Sequence, residues 1–157
     1  MGVPIGPLAV RRSVWINAPQ ERVWREFETF ERFSAWFGVG HDLITYEPYE
    51  GGWVELDCGP LESGHPGRFG GKVVVWDPPN ELTFEDAWIP DIGWDAPMLL
   101  TLRLTPHLGG THVELFVHGF ERLGPKGTDA HRGYEAGWES LQLNRLKDLV
   151  EAAERAS

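Results

Sequence analysis

The sequence contains one cysteine, Cys58, among 157 residues, and this scarcity excludes an internal disulfide. A lone thiol fits a reducing compartment. Residues 1–8 have neither the basic start nor the apolar run of a secretory signal peptide. No apolar run approaches the length that crosses a bilayer. We therefore expect a cytoplasmic protein with no membrane partner.

Positive charge is also scarce, with 14 Lys and Arg against 24 Asp and Glu and a formal net charge of −10. Nucleic-acid phosphates would be repelled, and no basic stripe is present to offset the repulsion. Anionic membrane surfaces are disfavoured for the same reason. We expect no nucleic-acid partner.

Motifs for catalysis and metal binding are missing as well. No Gly-x-Ser-x-Gly nucleophile elbow occurs, and the six histidines include no i, i+4 pair. His112 and His118 lie on one predicted strand with Glu114 between them, which leaves a metal site open, although we prefer a solvated surface row. Cys58 has no basic neighbour and is interpreted as a semi-buried residue rather than a nucleophile. We predict no catalytic residue, no metal and no cofactor.

Aromatic residues, by contrast, are plentiful, with eight Trp and eight Phe. Such a density either fills a large core or lines a pocket for an apolar ligand. The length suits one domain over residues 1–157, with an ordered core over about residues 8–156. A chain of this size buries roughly 70% of its unfolded surface.

Hydrophobic patterning predicts one strand, two short helices and then a run of strands. Alternation over Val10–Ile16 indicates the first strand. Pro19 suits the first turn of the helix that follows, and Thr29 can cap a second helix. Six more strands are expected near Leu43–Tyr46, Trp53–Asp57, Phe69–Trp76, Glu81–Ala87, Met98–Leu104 and His112–His118. Short connections rich in Gly and Pro imply antiparallel pairing of neighbours.

Alternation along these strands assigns two faces to the sheet. The apolar face needs cover, and its row comprises Val54, Leu56, Val73, Val75, Leu82, Phe84, Leu100, Leu102, Leu104, Val113, Leu115 and Val117. The opposite face is expected to be solvated, and it carries Lys72, Thr83, Glu85, Arg103, Glu114 and His118.

The stretch Thr128–Ala156 is the longest run free of proline, and its periodicity predicts one amphipathic helix. The broad apolar side of this helix suits packing across a sheet. Gly133 and Gly137 would let its first turns approach a neighbour closely. Two interpretations stay open: the helix only closes the core, or Tyr134 and Trp138 also wall a ligand cavity.

This order of elements resembles the helix-grip fold of the START-like (SRPBCC) superfamily. The stretch Ile16–Trp24 is similar to the opening of that superfamily's sequences, which pairs an Ala-Pro step with a following Val-Trp. Further similar motifs are Gly51-Gly52, Gly109-Gly110-Thr111, Gly119-Phe120 and the stretch Gly133–Trp138. The last three of these resemble the branch named for the activator of the ATPase of the 90-kDa heat-shock protein.

The resemblance implies an α+β fold in which a curved antiparallel sheet of about seven strands wraps a long C-terminal helix. It also implies a hydrophobic cavity between the two that binds a small hydrophobic or aromatic ligand, with polyketide cyclase-like chemistry in a few branches. The alternative is a co-chaperone-like domain that regulates a heat-shock chaperone ATPase. For either function we expect a monomer or a homodimer. The residues expected to line the cavity are Trp36, Phe37, Val54, Leu56, Phe69, Val73, Phe84, Asp86, Trp88, Leu100, Leu102, Val113, Leu115, Tyr134, Trp138 and Leu141.

Asp86 departs from the aromatic residue that superfamily members often carry near this position. It shares its parity with Leu82 and Phe84, so a regular strand would aim it at the cavity. A carboxylate there is costly unless it is paired or protonated, and sites with raised pKa values arise in this way. The alternative is that the strand bulges or ends there and leaves Asp86 hydrated.

Overall fold

The computed structural model describes residues 2–156, which form one seven-stranded antiparallel sheet and four α-helices. The strands are β1 (Val10–Ile16), β2 (Asp42–Tyr46), β3 (Trp53–Asp57), β4 (Arg68–Asp77), β5 (Glu81–Ile89), β6 (Met98–His107) and β7 (Gly110–His118). The helices are α1 (Gln20–Trp24), α2 (Phe30–Phe37), α3 (Gly127–Gly137) and α4 (Leu141–Ala156). Two 3-10 segments, Arg25–Phe27 and Phe120–Lys126, adjoin α1 and α3.

The sheet has the order β1-β7-β6-β5-β4-β3-β2, so consecutive strands pair from β2 to β7 and the first strand joins the last. The β1–β7 register runs from Val10 opposite Val117 to Ile16 opposite Thr111. All seven strands were predicted from the sequence, and the helix-grip architecture is confirmed. The sheet curls around its apolar face, where the helices pack.

The predicted cap of the second helix is confirmed. The Thr29 hydroxyl accepts a hydrogen bond from the backbone N–H of Arg32 at 3.1 Å, and it thereby satisfies one of the free donors of the first turn. The helix α2 then buries Phe33, Trp36 and Phe37 completely. These rings form the inner layer of an aromatic cluster over the sheet.

The aromatic cluster fills the half of the curved face that lies beneath α1 and α2. Phe33 stacks on Tyr46 with ring centroids 4.2 Å apart, and Trp24 stacks on Phe27 at 4.7 Å. The Trp36 indole also donates a hydrogen bond of 3.0 Å to the backbone carbonyl of Glu26. Edge and stacked contacts of this kind pack this half of the face with the protein's own rings.

The prediction of one continuous C-terminal helix is wrong, because the chain is extended at Trp138 (φ −86°, ψ 126°) between α3 and α4. Arg12 of β1 supplies the reason, since its guanidinium donates to the carbonyls of Glu135 (3.0 Å) and Trp138 (2.7 Å). These are carbonyls that a helix end leaves without partners. The next helix restarts at Leu141, with the Ser140 carbonyl accepting from the N–H of Asn144.

The break also changes which side of the last helix faces the core. Leu143, Leu146 and Val150 are buried, whereas Leu141 is 47% exposed. Tyr134 and Trp138 therefore belong to a separate structural unit from α4. A uniform helical period across the break could not assign both faces correctly.

The sequence assigned Val75 to the inner face, and this assignment is wrong because β4 contains a bulge. Val73 pairs with Phe84, but the next bridge joins Val75 to Thr83, and Trp76 then faces Leu82. One extra residue in a strand reverses the parity beyond it. Trp76 consequently turns inward and packs 5.1 Å from the Trp24 ring.

The outer face is not uniformly solvated, and the prediction is wrong for Thr83 and His118, which are buried. Hydrogen bonds of 2.8–2.9 Å run from Glu81 through Thr83 and Thr101 to His118. The N-terminal segment crosses this face, where the Val3 N–H donates to Glu81 at 3.2 Å. Burial lowers the pKa of His118 to about 4. The ring nitrogen of His118 is hydrogen-bonded to Thr101, so His118 does not form the predicted solvated row with His112.

Candidate functional site

A cavity of about 700 Å³ lies beside the aromatic cluster, where β4 and β5 meet the break between α3 and α4. Its lining comprises Gly40, His41, Cys58, Leu61, Phe69, Trp88, Trp94, Ala130, Gly133, Tyr134, Gly137, Trp138, Glu139, Leu141 and Gln142. Phe69 and Trp88 are cross-strand partners that form the floor, with rings 5.7 Å apart. The cavity is thus an aromatic chamber with a few polar groups in its wall.

The roof of the cavity is helix α3, and its glycines do not act as the sequence suggested. A Cβ atom added at Gly133 or Gly137 would meet no other atom within 4 Å. These glycines therefore border open space, and the expected close approach to a neighbour is wrong. Tyr134 lies between them and meets Trp94 of the facing loop, with ring centroids 6.4 Å apart.

Two loops, residues 58–67 between β3 and β4 and residues 90–97 between β5 and β6, form the rim of the cavity. Leu61 comes from the first loop and Trp94 from the second. His65 joins the loops, since its Nε2 lies 2.9 Å from the Pro90 carbonyl oxygen and its ring lies 5.2 Å from that of Trp88. The rim is therefore held together by a polar contact across the entrance.

Two polar side chains of the wall have buried atoms without hydrogen-bond partners. The Gln142 amide nitrogen donates to the Val39 carbonyl at 2.8 Å, but Gln142 Oε1 has no partner among residues 2–156. His41 Nε2 is likewise without one. The rings of Phe37, Phe69 and Trp138 pack edge-on around His41. Burial lowers the pKa of His41 to about 4, so its imidazole is uncharged at neutral pH.

Asp86 lies on the inner face of β5, two residues before Trp88, and it is completely buried. Neither carboxyl oxygen has a hydrogen-bond partner within the described chain. Desolvation raises the pKa of Asp86 to about 7. Desolvation also raises the pKa of Tyr134, and the charge of Asp86 adds to that rise. The hydrated alternative for Asp86 does not apply.

The structure divides the predicted cavity residues into two groups. Five of them line the cavity: Phe69, Trp88, Tyr134, Trp138 and Leu141. The others are buried outside the lining: Trp36, Phe37, Val54, Leu56, Val73, Phe84, Asp86, Leu100, Leu102, Val113 and Leu115. Apart from Val75, the strand parity identified the inner face correctly, but it could not distinguish side chains packed in the core from side chains that border open space.

Sequence reasoning missed the polar wall residues His41 and Gln142. Neither belongs to a motif: His41 lies just before β2, and Gln142 lies in the first turn of α4. The only sequence signal for Gln142 was a polar residue on an otherwise apolar helix side. Leu61 lies in a loop for which no face could be assigned.

The residues present offer little for nucleophilic or metal chemistry. No group of three or more His, Cys, Asp or Glu side chains within residues 2–156 could hold a metal ion. Cys58 is exposed at the cavity wall, and desolvation raises the pKa of its thiol. A raised thiol pKa reduces the thiolate fraction, which is the nucleophilic form. Asp86 and Tyr134 remain as groups that could move a proton.

No helix among the described residues is long and apolar enough to cross a membrane. No curated protein matches the sequence. Solved structures do match the fold. Protein MLL2253 from Mesorhizobium loti is 22% identical with a TM-score of 0.68, covering 92% of this chain and 97% of its own.

Two further structures share the fold at similar distance. The Aha1 dimer from Colwellia psychrerythraea is 18% identical with a TM-score of 0.63, covering 91% of this chain and 96% of its own. DynU16, a protein in the dynemicin biosynthetic locus, is 21% identical with a TM-score of 0.65, covering 94% of this chain and 49% of its own. Residues 17–151 match the family described as Activator of Hsp90 ATPase homolog 1-like protein. Since the match extends over most of the sequence, this chain belongs to that family, AHSA1.

Proposed function

We propose that the protein binds a small hydrophobic or aromatic ligand in the cavity between the sheet and α3. The observation that carries the proposal is the size and lining of the cavity, about 700 Å³ with walls from Phe69, Trp88, Trp94, Tyr134 and Trp138. Small-molecule sites are typically concave, largely apolar and roughly 300–1,000 Å³ in volume, with a few polar groups that orient the ligand.

The contrast between the two halves of the curved face supports a ligand rather than a purely structural role. Beneath α2 the protein's own rings fill the space, with Phe33 and Trp36 fully buried. Beneath α3 the facing Trp94 and Tyr134 are only partly buried, and Gly133 presents no side chain. A chain able to fill one half with aromatic residues leaves the other half open.

A catalytic form of this proposal would be cyclase-like, with a proton moved at the ligand. Tyr134 lines the cavity and would contact the ligand in such a step, whereas Asp86, buried outside the lining, would act through Tyr134, whose pKa its charge raises. DynU16, from a biosynthetic locus, has a similar fold. In this form, Asp86→Asn should lower turnover more than ligand affinity, and unchanged turnover would remove Asp86 from the reaction.

Two experiments test the binding proposal: one measures the mass of a bound ligand, and the other obstructs the cavity with a substitution. Native mass spectrometry of freshly purified protein should show extra mass that disappears on denaturation. Gly133→Phe should reduce that extra mass and the quenching of tryptophan fluorescence by naphthalene, because Gly133 lines the cavity and an added side chain there has open space to occupy. Ala136→Phe on the exposed side of the same helix is the matched control and should bind as the wild type does. Equal binding by both variants would contradict the proposal.

A second candidate is a protein-interaction role toward a heat-shock chaperone ATPase. Its support is membership of the AHSA1 family and an exposed apolar group on the β2–β3 hairpin, namely Ile44, Tyr49 and Trp53. Micromolar protein should then change the chaperone's ATP hydrolysis, and Trp53→Ala should weaken the effect. No change in hydrolysis would end this candidate.

A further inference from the structure

The polar corner of the cavity, defined as Gln142 and His41, indicates which ligands the site accepts. Gln142 is only 4% exposed, and its amide nitrogen is committed to the Val39 carbonyl. This bond fixes the orientation of the amide, so the remaining Oε1 atom is an acceptor and not a donor. A buried acceptor without a partner costs free energy that a ligand donor can recover.

His41 lines the same cavity as Gln142 and adds a second buried polar atom without a partner among residues 2–156. The Val39 carbonyl that accepts from the Gln142 amide lies two residues before His41 in the chain. The imidazole is neutral at pH 7, so its Nε2 either donates or accepts according to the tautomer. A hydroxyl group can satisfy both tautomers, because it donates and accepts at once.

The charge of the cavity lining further limits which ligands can bind. No Lys or Arg belongs to the lining within residues 2–156, and the one carboxylate of the wall is Glu139. The whole chain carries a formal charge of −10. A ligand carboxylate or phosphate would therefore enter an aromatic chamber with no cation to pair it, which is unfavourable. The corner is suited to an uncharged donor.

We propose that the cavity selects neutral aromatic molecules that carry a hydroxyl group, which donates to Gln142 Oε1 and contacts His41 Nε2, and that it rejects anionic analogues. This inference rests on the proposed ligand-binding function and specifies the chemical class of the ligand. It makes Gln142 a specificity-determining residue.

The test is a titration series on one ring system, measured by isothermal titration calorimetry at neutral pH. The probes are naphthalene, 2-naphthol, 2-methoxynaphthalene and 2-naphthoate. A hydrogen bond to an otherwise unpaired buried acceptor should make 2-naphthol bind about tenfold more tightly than 2-methoxynaphthalene. The anion should bind more weakly than naphthalene itself.

Variants test whether the preference for 2-naphthol depends on the polar corner. Gln142→Leu should remove the advantage of 2-naphthol while naphthalene still binds. Asn144→Leu, an equivalent change at an exposed position of the same helix, should keep the advantage. His41→Phe preserves the ring shape and should reduce the advantage in part. Should Gln142→Leu fail to fold, the four probes on the wild-type protein still decide the outcome.

Each result has a distinct meaning. Equal affinity for the three neutral probes, or tightest binding of 2-naphthoate, would overturn this inference and leave the ligand-binding proposal intact. A preference for 2-naphthol that survives Gln142→Leu would also overturn it. If none of the probes binds, naphthalene included, the proposed function falls together with the inference.

Discussion

Replacing Asp86 by asparagine should change how the stability of the protein depends on pH. The pKa of Asp86 is raised from 3.8 to about 7 by desolvation. Between these values the folded protein holds a proton that the unfolded chain has released. Stability contributed by the protonated carboxyl is therefore complete below pH 3.8, declines as the pH rises, and is lost above about pH 7. Asparagine has no such titration.

The magnitude follows from the difference between the two pKa values. The folded and unfolded states differ by about three pH units at Asp86, and each unit corresponds to about 1.4 kcal/mol. The free energy of unfolding of Asp86→Asn, relative to the wild type, should thus rise by roughly 4 kcal/mol between pH 3.8 and pH 8. This change is comparable with a large part of the total stability of a small protein, about 5–15 kcal/mol.

Urea unfolding at several pH values between 4 and 8.5 measures this difference. Burial lowers the pKa of both His41 and His118 to about 4, so these histidines give the opposite slope between pH 4 and about 6.5. Both histidines are present in both proteins, and their contribution cancels in the difference. Asp95→Asn, at an exposed loop position, is the control and should follow the wild type. Parallel profiles for Asp86→Asn and the wild type would refute the assignment of Asp86 as a desolvated carboxyl.

Two further predictions concern the fold, and both are measured by urea unfolding at neutral pH. Thr29→Ala removes the cap of α2 and should cost about 1 kcal/mol, whereas no loss would show that the hydrogen bond to Arg32 contributes nothing. Gly70→Ala should cost about 3 kcal/mol or more, because φ is +139° and the new Cβ atom would lie 2.0 Å from the Val54 carbonyl oxygen. Gly93→Ala, with φ of +90° and open surroundings, should cost only about 1 kcal/mol, and equal losses would contradict the steric reasoning.

Local patterns in the sequence were sufficient for the elements of the sheet. The bounds of β1 and β3 agree with the alternation seen in the sequence, and Thr29 begins α2 as its side chain suggests. These features depend on neighbours within a few residues. The bulge at Val75 does not, because nothing in an unbroken run of three valines marks which one is displaced.

The errors arose where distant residues override the local pattern. The break after α3 depends on Arg12, more than a hundred residues away, although Ser140 ahead of an apolar run is a recognised start signal and could have revealed it. The burial of His118 depends on Thr101 and on the N-terminal segment that reaches Glu81. The candidate site combines both effects, so the sequence could indicate its aromatic floor but not its polar corner.

The two faces of the same strands treat buried polar groups differently. On the outer face, Glu81, Thr83, Thr101 and His118 are buried, and hydrogen bonds join all of them. On the inner face, Asp86 is equally buried and has no partner among residues 2–156.

Buried polar atoms without partners are rare because each costs free energy, so their positions are informative. Within residues 2–156 they occur on Trp24, His41, Asp86 and Gln142. Trp24 belongs to the aromatic cluster, whereas His41 and Gln142 line the cavity and Asp86 lies beside its floor residue Trp88. The described chain thus satisfies a polar network on one side of its sheet but leaves three polar groups unsatisfied in or beside one cavity on the other side. Local conflicts of this kind concentrate at functional sites. We infer that the cavity is kept for a ligand that completes the bonds of His41 and Gln142, the two unsatisfied groups in the described part of its lining.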